Sequence, residues 1–312
     1  MGAENWSSVD GFFLVVFSDL PQLQGPLFIV LLLSYLITLV GNLLVMVTIY
    51  CNSHLYTPMY FFLSNLSFID ICHTSNILPQ MLARFFQEEA HMSMSECLLQ
   101  MEFFLALMFT EILVLTVMAY DRYVAICNPL RYMTIMNKDV CMQLAVGSWT
   151  VGIMFPLTYI ALSSVLIFCG SHTINHFFCD LPALMKLTCS STRQIEMLIY
   201  VLGSMITLGS ITLIITSYIN ITSCILKIKS KGGRHKAFST CASHLTVVLL
   251  FYGSACSSYF RPTSTYSMKE NKMLSLLYIV VTPMCNPIIY SLKNEEFKKG
   301  LRKFNMFQMV AE

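Results

Sequence analysis

Charge is what this 312-residue chain has least of: only 12% of it is Asp, Glu, Lys or Arg, roughly half the share of a soluble domain. Hydrophobic residues make up 56% and the mean hydropathy is +0.66. Most of the surface must therefore face something other than water. The net charge is only +2, so the balance points to no strongly basic or acidic partner, and no nucleic acid is expected as one. There is no internal repeat, soluble domain or low-complexity linker, and without paired repeats a secondary transporter has no support. No serine sits in a nucleophile elbow and no His-Glu-x-x-His spacing appears, which leaves an enzyme without a site. A ligand-gated channel would need an oligomeric pore lined by polar residues, whereas Asp70 and Glu111 form the single deep acid pair.

What the chain does have is seven apolar runs, at about 26–50, 58–83, 97–121, 140–168, 197–226, 237–260 and 272–292. Each is long enough for the ~20 helical residues that cross a bilayer. The residues fill runs rather than alternate, which argues against a barrel. Lys227, Lys229, Lys231, Arg234 and Lys236 follow run five, and Lys293, Lys298, Lys299, Arg302 and Lys303 follow run seven. Arg131 and Lys138 follow run three, and Glu4, Asp10, Asp19, Glu88, Glu89 and Glu96 lie on the other side. Basic short loops mark the cytoplasm. The expectation is an all-α membrane protein: a seven-transmembrane helix bundle, N-terminus outside and C-terminus inside. It has an extracellular tail (1–25), a helical domain (26–292) and a cytoplasmic C-terminal helix and tail (293–312). No basic segment precedes Phe12–Phe17 and acids flank it, so the first helix rather than a cleaved signal peptide is expected to direct insertion.

Two features fit that orientation. Asn5-Trp6-Ser7 is a glycosylation sequon in the outside tail, whereas Asn65-Leu66-Ser67 matches the pattern inside a membrane run. Of twelve cysteines, Cys97, Cys169, Cys179 and Cys189 fall outside, an oxidising setting, with three pairings open. The other eight read as small apolar packers.

Helix rise sets depth. Cys97 and Arg122 are 25 positions apart, about 37 Å. The third helix therefore spans the bilayer with its cysteine outside and Asp121-Arg122-Tyr123 at the inner face. Glu111 lies about 16 Å above Arg122, and Asp70 about 18 Å from the inner end of the second helix. Two carboxylates at this depth must share a proton, a cation such as sodium, or waters. Their bland role would be to hold helices together as neutral, hydrogen-bonded acids. Met101, Phe104, Leu105 and Met108 form one helical face; such a stripe more often means packing than a pocket.

Five long motifs in order then resemble the vertebrate odorant receptors, a branch of the rhodopsin-like, G-protein-coupled receptors. Gly41-Asn42 fits the first helix. Leu55-Tyr56-Thr57-Pro58-Met59-Tyr60-Phe61-Phe62-Leu63-Ser64-Asn65-Leu66-Ser67 with Asp70 fits the second, and Met118 through Cys127 the third. Lys236-Ala237-Phe238-Ser239-Thr240-Cys241-Ala242-Ser243-His244-Leu245 fits the sixth. Pro283-Met284-Cys285-Asn286-Pro287-Ile288-Ile289-Tyr290-Ser291 fits the seventh.

The resemblance implies a receptor of the plasma membrane, in olfactory sensory cilia. It would bind a small volatile odorant and activate a stimulatory, olfactory-type heterotrimeric G protein that raises cAMP. It implies that Arg122 is held by Asp121 at rest. Tyr218, His244, Asn286, Pro287 and Tyr290 would belong to the same switch. It implies disulfides Cys97–Cys179 and Cys169–Cys189. It adds Leu202, Ile206, Ala255, Tyr259 and Ile279 to the stripe as odorant-contacting positions. His176-Phe177-Phe178-Cys179-Asp180 resembles a loop motif for copper or zinc, but a disulfide at Cys179 would remove its thiolate, so no metal is expected. No cofactor beyond a possible sodium ion is implied. Departures from the family pattern are Tyr56, where a histidine is usual, Glu102, where an apolar residue is commoner, and Ser191, where an acid is frequent. Thr263 stands where acid-sensing relatives carry arginine, although Arg261 is close.

Overall fold

The computed structural model describes residues 11–17, 22–87, 89–164, 166–168, 172–189, 193–259, 268–293 and 297–301. It is a helix bundle. Its helices are α1 (Gln24–Cys51), α2 (Pro58–Ala83), α3 (Met94–Cys127), α4 (Tyr132–Ile135), α5 (Lys138–Met154), α6 (Leu157–Ser164), α7 (Leu181–Met185), α8 (Arg193–Lys227), α9 (Lys231–Tyr259), α10 (Met268–Leu276) and α11 (Thr282–Lys293). Among the described residues, six helical stretches are long and apolar enough to cross a bilayer: α1, α3, α5 with α6, most of α8, the end of α9, and the run from Lys272 to Tyr290. α2 is 26 residues long but is made less apolar by Asp70, His73 and their neighbours. It completes seven crossings.

α3 is the central helix, packed on α2, α5 and α8. A capping box starts it. The Glu96 amide donates to Ser93 Oγ at 3.2 Å, and the Ser93 amide donates to Glu96 Oε2 at 2.9 Å, satisfying two otherwise orphaned donors. Pro58 at the first position of α2 removes a donor that would have no partner there. The Val140 amide donates to Asn137 Oδ1 to begin α5.

Two single runs of the sequence are broken in the structure. The fourth, expected over 140–168, divides at Phe155-Pro156 into α5 and α6, because proline has no N–H to continue the ladder. The seventh carries a π turn at Leu277–Val281 just before Pro283, a distortion that accumulates near functional sites.

Small residues let helices meet closely. A Cβ on Gly152 would come within 2.0 Å of Thr110 Oγ1 and 2.9 Å of its backbone nitrogen, so α5 touches the α3 backbone there. A Cβ on Gly41 would lie 3.0 Å from Pro287, and Asn42 Nδ2 donates to the Pro283 carbonyl at 3.2 Å, joining α1 to α11. Trp149 Nε1 donates to Asn65 Oδ1 at 3.1 Å, so the second sequon is a packing contact between α5 and α2. At the inner end, residues 297–301 are helical, with Gly300 against Thr48, Asn52 and Leu55.

The outer end departs from an all-helical expectation. A three-stranded sheet orders β1 (Gly11–Leu14) between β2 (Ala90–Ser93), antiparallel, and β3 (Thr173–Ile174), parallel. The side chains of Phe12 and Leu14 face the core while Phe13 faces out. Continuous apolar letters conceal that period of two, which is why composition did not mark a strand. Lys272 fastens the arrangement. Its ammonium donates to the Val15 carbonyl at 2.9 Å and to Asn175 Oδ1 at 3.2 Å, and lies 4.7 Å from the centre of the Phe17 ring.

Candidate functional site: a cavity, a polar spine and an arginine latch

A cavity of about 320 Å³ opens among α3, α8, α9 and the loop that carries α7. Met101, Phe104, Leu105, Met108, Phe109 and Ile112 come from α3, and Ile199, Tyr200, Gly203, Ser204 and Thr207 from α8. Phe251, Tyr252, Ala255 and Cys256 come from α9, while Tyr159, Asp180, Leu181, Met185, Lys186 and Glu196 also line it. The walls are mostly apolar; Asp180, Lys186 and Glu196 supply the charged groups of the lining.

The α3 stripe and Ala255 thus face one cavity. Leu202, Ile206 and Ile279 do not line it. The cavity face of α8 runs through Ile199, Gly203, Ser204 and Thr207, so Leu202 and Ile206 fall about 100° round the helix, with Ile206 packed on the core. Ile279 sits in the π turn and is fully buried; the extra residue in that turn rotates its side chain away from the register a regular helix would give it. Tyr259 ends α9, and its side chain, like Arg261 and Thr263, lies outside the described residues.

Beneath the cavity runs a buried polar spine. The Phe104 ring, part of the cavity wall, stands 5.0 Å from His73 and 6.0 Å from Tyr278, centre to centre. Tyr278 Oη and His73 Nδ1 are 3.4 Å apart, and the same nitrogen is 3.9 Å from Glu111 Oε2. Asp70 has a different partner: Asn286 Nδ2 donates to both its oxygens, at 3.2 and 3.0 Å. The two acids therefore hold separate protein partners, on α2 and α11. Glu111 Oε1, His73 Nε2, Asn286 Oδ1 and Tyr290 Oη are buried and accept or donate no hydrogen bond among the described residues. Such groups need water, an ion or a shared proton. On the α8 side, Thr116 and Ser210 share a hydrogen bond, and Ser210 Oγ lies 2.7 Å from Tyr252 Oη on the cavity wall.

The latch lies at the inner face. Arg122 donates through Nη2 at 2.6 Å and Nε at 3.1 Å to Asp121 Oδ2. Asp121 is fully buried, and its other oxygen accepts from Tyr132 Oη at 2.7 Å. Sequence reasoning missed Tyr132; a tyrosine one helical turn beyond Pro129 in a cytoplasmic loop carried the only signal. Burial, with the Asp121 carboxylate second, pushes its phenol above the ordinary tyrosine range, so Tyr132 stays a proton donor. Tyr218 Oη lies 2.7 Å from His244 Nδ1, the rings stacked with centres 5.9 Å apart. His244 Nε2 is 3.2 Å from the Leu115 carbonyl. A carbonyl can only accept, so Nε2 carries the proton and Nδ1 accepts from Tyr218. Tyr123 packs beside Tyr218 against Ile221, Ile225 and Cys241. Pro287 lies within α11, three residues before Tyr290.

At the outer end, Cys97 and Cys179 are bonded, Cα atoms 5.3 Å apart, tying α3 to the loop above the cavity. Cys189 is also in a disulfide; Cys169, Asn5 and Ser191 lie outside the described residues. His176 is buried against the Phe177 and Phe178 rings. Burial, and then nearby Lys272, holds it neutral with a pKa of about 3. With Cys179 in a disulfide, no group of three or more His, Cys, Asp or Glu among the described residues could hold a metal. Glu102 is half-buried on α3, its carboxylate oxygens without a hydrogen-bond partner among the described residues. One cysteine expectation is corrected. Cys127 and Cys224, read as separate packers, face each other with Cα atoms 5.7 Å apart, because the last turns of α3 and α8 run side by side.

A family model described as olfactory receptor matches residues 31–307. Olfactory receptor 1L4 of Homo sapiens is 47% identical over 304 residues, covering 97% of this chain and 98% of that protein. Olfactory receptor 1L1 of Homo sapiens is 48% identical over 303 residues, covering 97% and 84%. Olfactory receptor 5AR1 of Mus musculus is 45% identical over 303 residues, covering 97% and 98%. The chain belongs to the olfactory receptor family: a multi-pass plasma-membrane, G-protein-coupled receptor of odorants and not an enzyme.

Proposed function

We propose that this receptor binds small, mostly apolar organic molecules in the cavity among α3, α8 and α9 and activates a stimulatory, olfactory-type G protein that raises cAMP. The observation that carries the reading is the stacking of parts along α3. An apolar cavity at Phe104 and Leu105 stands over the spine at Glu111, which stands over the latch at Arg122. Its volume is at the small end of ligand pockets, and its polar groups are few, which suits an uncharged ligand with one hydrogen-bonding group. Met101, Phe104, Leu105, Met108 and Ala255 are the contacts this assigns. Asp121, Arg122 and Tyr123, with Tyr218, His244, Asn286, Pro287 and Tyr290, form the switch.

A sodium ion or a shared proton at Asp70 and Glu111 would satisfy the unpartnered oxygens and favour the resting packing. Residues 1–25 form the extracellular segment, glycosylated at Asn5, and residues 293–312 the cytoplasmic one; the bilayer and the G protein are the partners, and no nucleic acid is. A broad odorant screen on wild type and Phe104→Leu tests the pocket. The variant keeps an apolar wall but changes its shape, so the rank order of odorants changes more than the maximal cAMP response. An unaltered ranking at normal surface level returns the stripe to packing alone.

A further inference from the structure

Cys127 and Cys224 are 97 positions apart in sequence, yet their Cα atoms are 5.7 Å apart. That lies inside the 4.4–6.8 Å a disulfide spans without backbone movement. Cys127 Sγ is also 3.6 Å from the Asn220 carbonyl of α8, so the two helices are in contact here. Both cysteines are partly exposed. The basic loops place this end of the bundle in the cytoplasm. There thiols are kept reduced, and a protein disulfide is as a rule transient and redox-sensing rather than structural. A bond at this place is thus conditional, unlike the buried Cys97–Cys179 bond at the outer end.

Its position gives it leverage. Cys127 is five residues past Arg122, and Cys224 six past Tyr218, so the pair lies one to two turns beyond the latch on both helices. Tyr123, Ile126, Tyr218 and Ala237 pack beside it on Ile221, Ile225 and Cys241, the patch where α3, α8 and α9 meet. The cysteines are within bonding reach in the same arrangement in which Asp121 holds Arg122 and accepts from Tyr132. A covalent link made at this separation favours that arrangement over any in which the helices part.

We propose that Cys127 and Cys224 form a redox-controlled clamp: oxidation by a peroxide joins α3 to α8 and holds the receptor at rest. One thiol ionises and its thiolate attacks hydrogen peroxide; the O–O bond breaks, the sulfur becomes a sulfenic acid, and the other oxygen leaves as hydroxide, which takes up from solvent the proton the thiol released and becomes water. The second thiol attacks the sulfenic sulfur, the S–S bond forms and a second water leaves. The two sulfurs lose two electrons and the peroxide gains them; a cytosolic thiol such as glutathione reverses the step by exchange.

The functional half of the proposal rests on the G-protein reading, so the experiment has two arms. Membranes with the cytoplasmic face exposed are treated with hydrogen peroxide, alkylated with a maleimide and digested without reductant. Mass spectrometry then shows the Cys127 and Cys224 peptides linked, and thiol reductant separates them. In the same membranes, odorant-free nucleotide exchange on an added stimulatory G protein falls about threefold or more on oxidation and recovers on reduction. Cys224→Ser and Cys224→Ala show neither effect, whereas Cys241→Ser shows both. Full alkylation of both thiols after peroxide overturns the clamp, and so does a link that leaves exchange unchanged. A receptor that drives no exchange even when reduced counts against the G-protein reading, while the linked peptide and its loss in Cys224→Ser still decide the thiol pair.

Discussion

Tyr132→Phe is the most informative single-atom change in this receptor. It removes one hydroxyl and keeps the ring that packs against the core. The lost interaction is the 2.7 Å hydrogen bond from Tyr132 Oη to Asp121 Oδ1, a donor to a fully buried carboxylate. Hydrogen bonds to charged groups contribute about 1.5–3 kcal/mol. Only the part of that energy made in the resting state and lost in the active one shifts the balance. If it is about 1.4 kcal/mol, the ratio of active to resting receptor rises tenfold; a basal active fraction of about 1% becomes about 10%. The assay is odorant-free cAMP in cells supplied with a stimulatory G protein, normalised to surface receptor. A several-fold rise in basal cAMP is expected. An unchanged basal level at equal surface expression would show that Tyr132 does not hold the latch, and the reasoning from Asp121 outward would fail.

Two further outcomes follow from the same contacts. Asp70→Asn and Glu111→Gln each change either basal cAMP or the sodium dependence of the odorant response, because each removes a carboxyl group that could hold the ion or the shared proton; identical dose–response curves at several sodium concentrations would sink that assignment. Gly152→Ala forces a Cβ into the Thr110 backbone at a cost of about 1–3 kcal/mol, so less receptor reaches the cell surface, as surface labelling measures, while Gly147→Ala, with open space around it, leaves the level unchanged.

The seven crossings, their direction and the arginine at the inner face were legible in the letters, because the bilayer fixes helix length and charge placement so strongly. The α3 stripe was legible for the same reason, since a regular helix keeps its 3.6-residue register from Cys97 to Arg122. Less legible was register where the helix is irregular or one step removed: Ile279, in the π turn before Pro283, and Leu202 and Ile206, one helical position from the cavity face of α8, do not line the cavity. The contacts made across long sequence distances were not legible either. No local pattern says that Tyr132 reaches Asp121, that His73 separates the cavity from Glu111, or that Cys127 meets Cys224. The outer sheet was hidden because β1 is apolar at every position after Gly11, so its alternation of buried and exposed residues leaves no trace in hydropathy.

The central claim is that a ligand in the cavity is read out through Arg122. The most direct test is odorant-evoked cAMP from wild type and Arg122→Ala, matched for surface level, across a broad odorant panel in cells supplied with a stimulatory G protein. Wild type responds to part of the panel, and Arg122→Ala responds to none of it. Equal odorant-evoked responses from the two proteins would contradict the account.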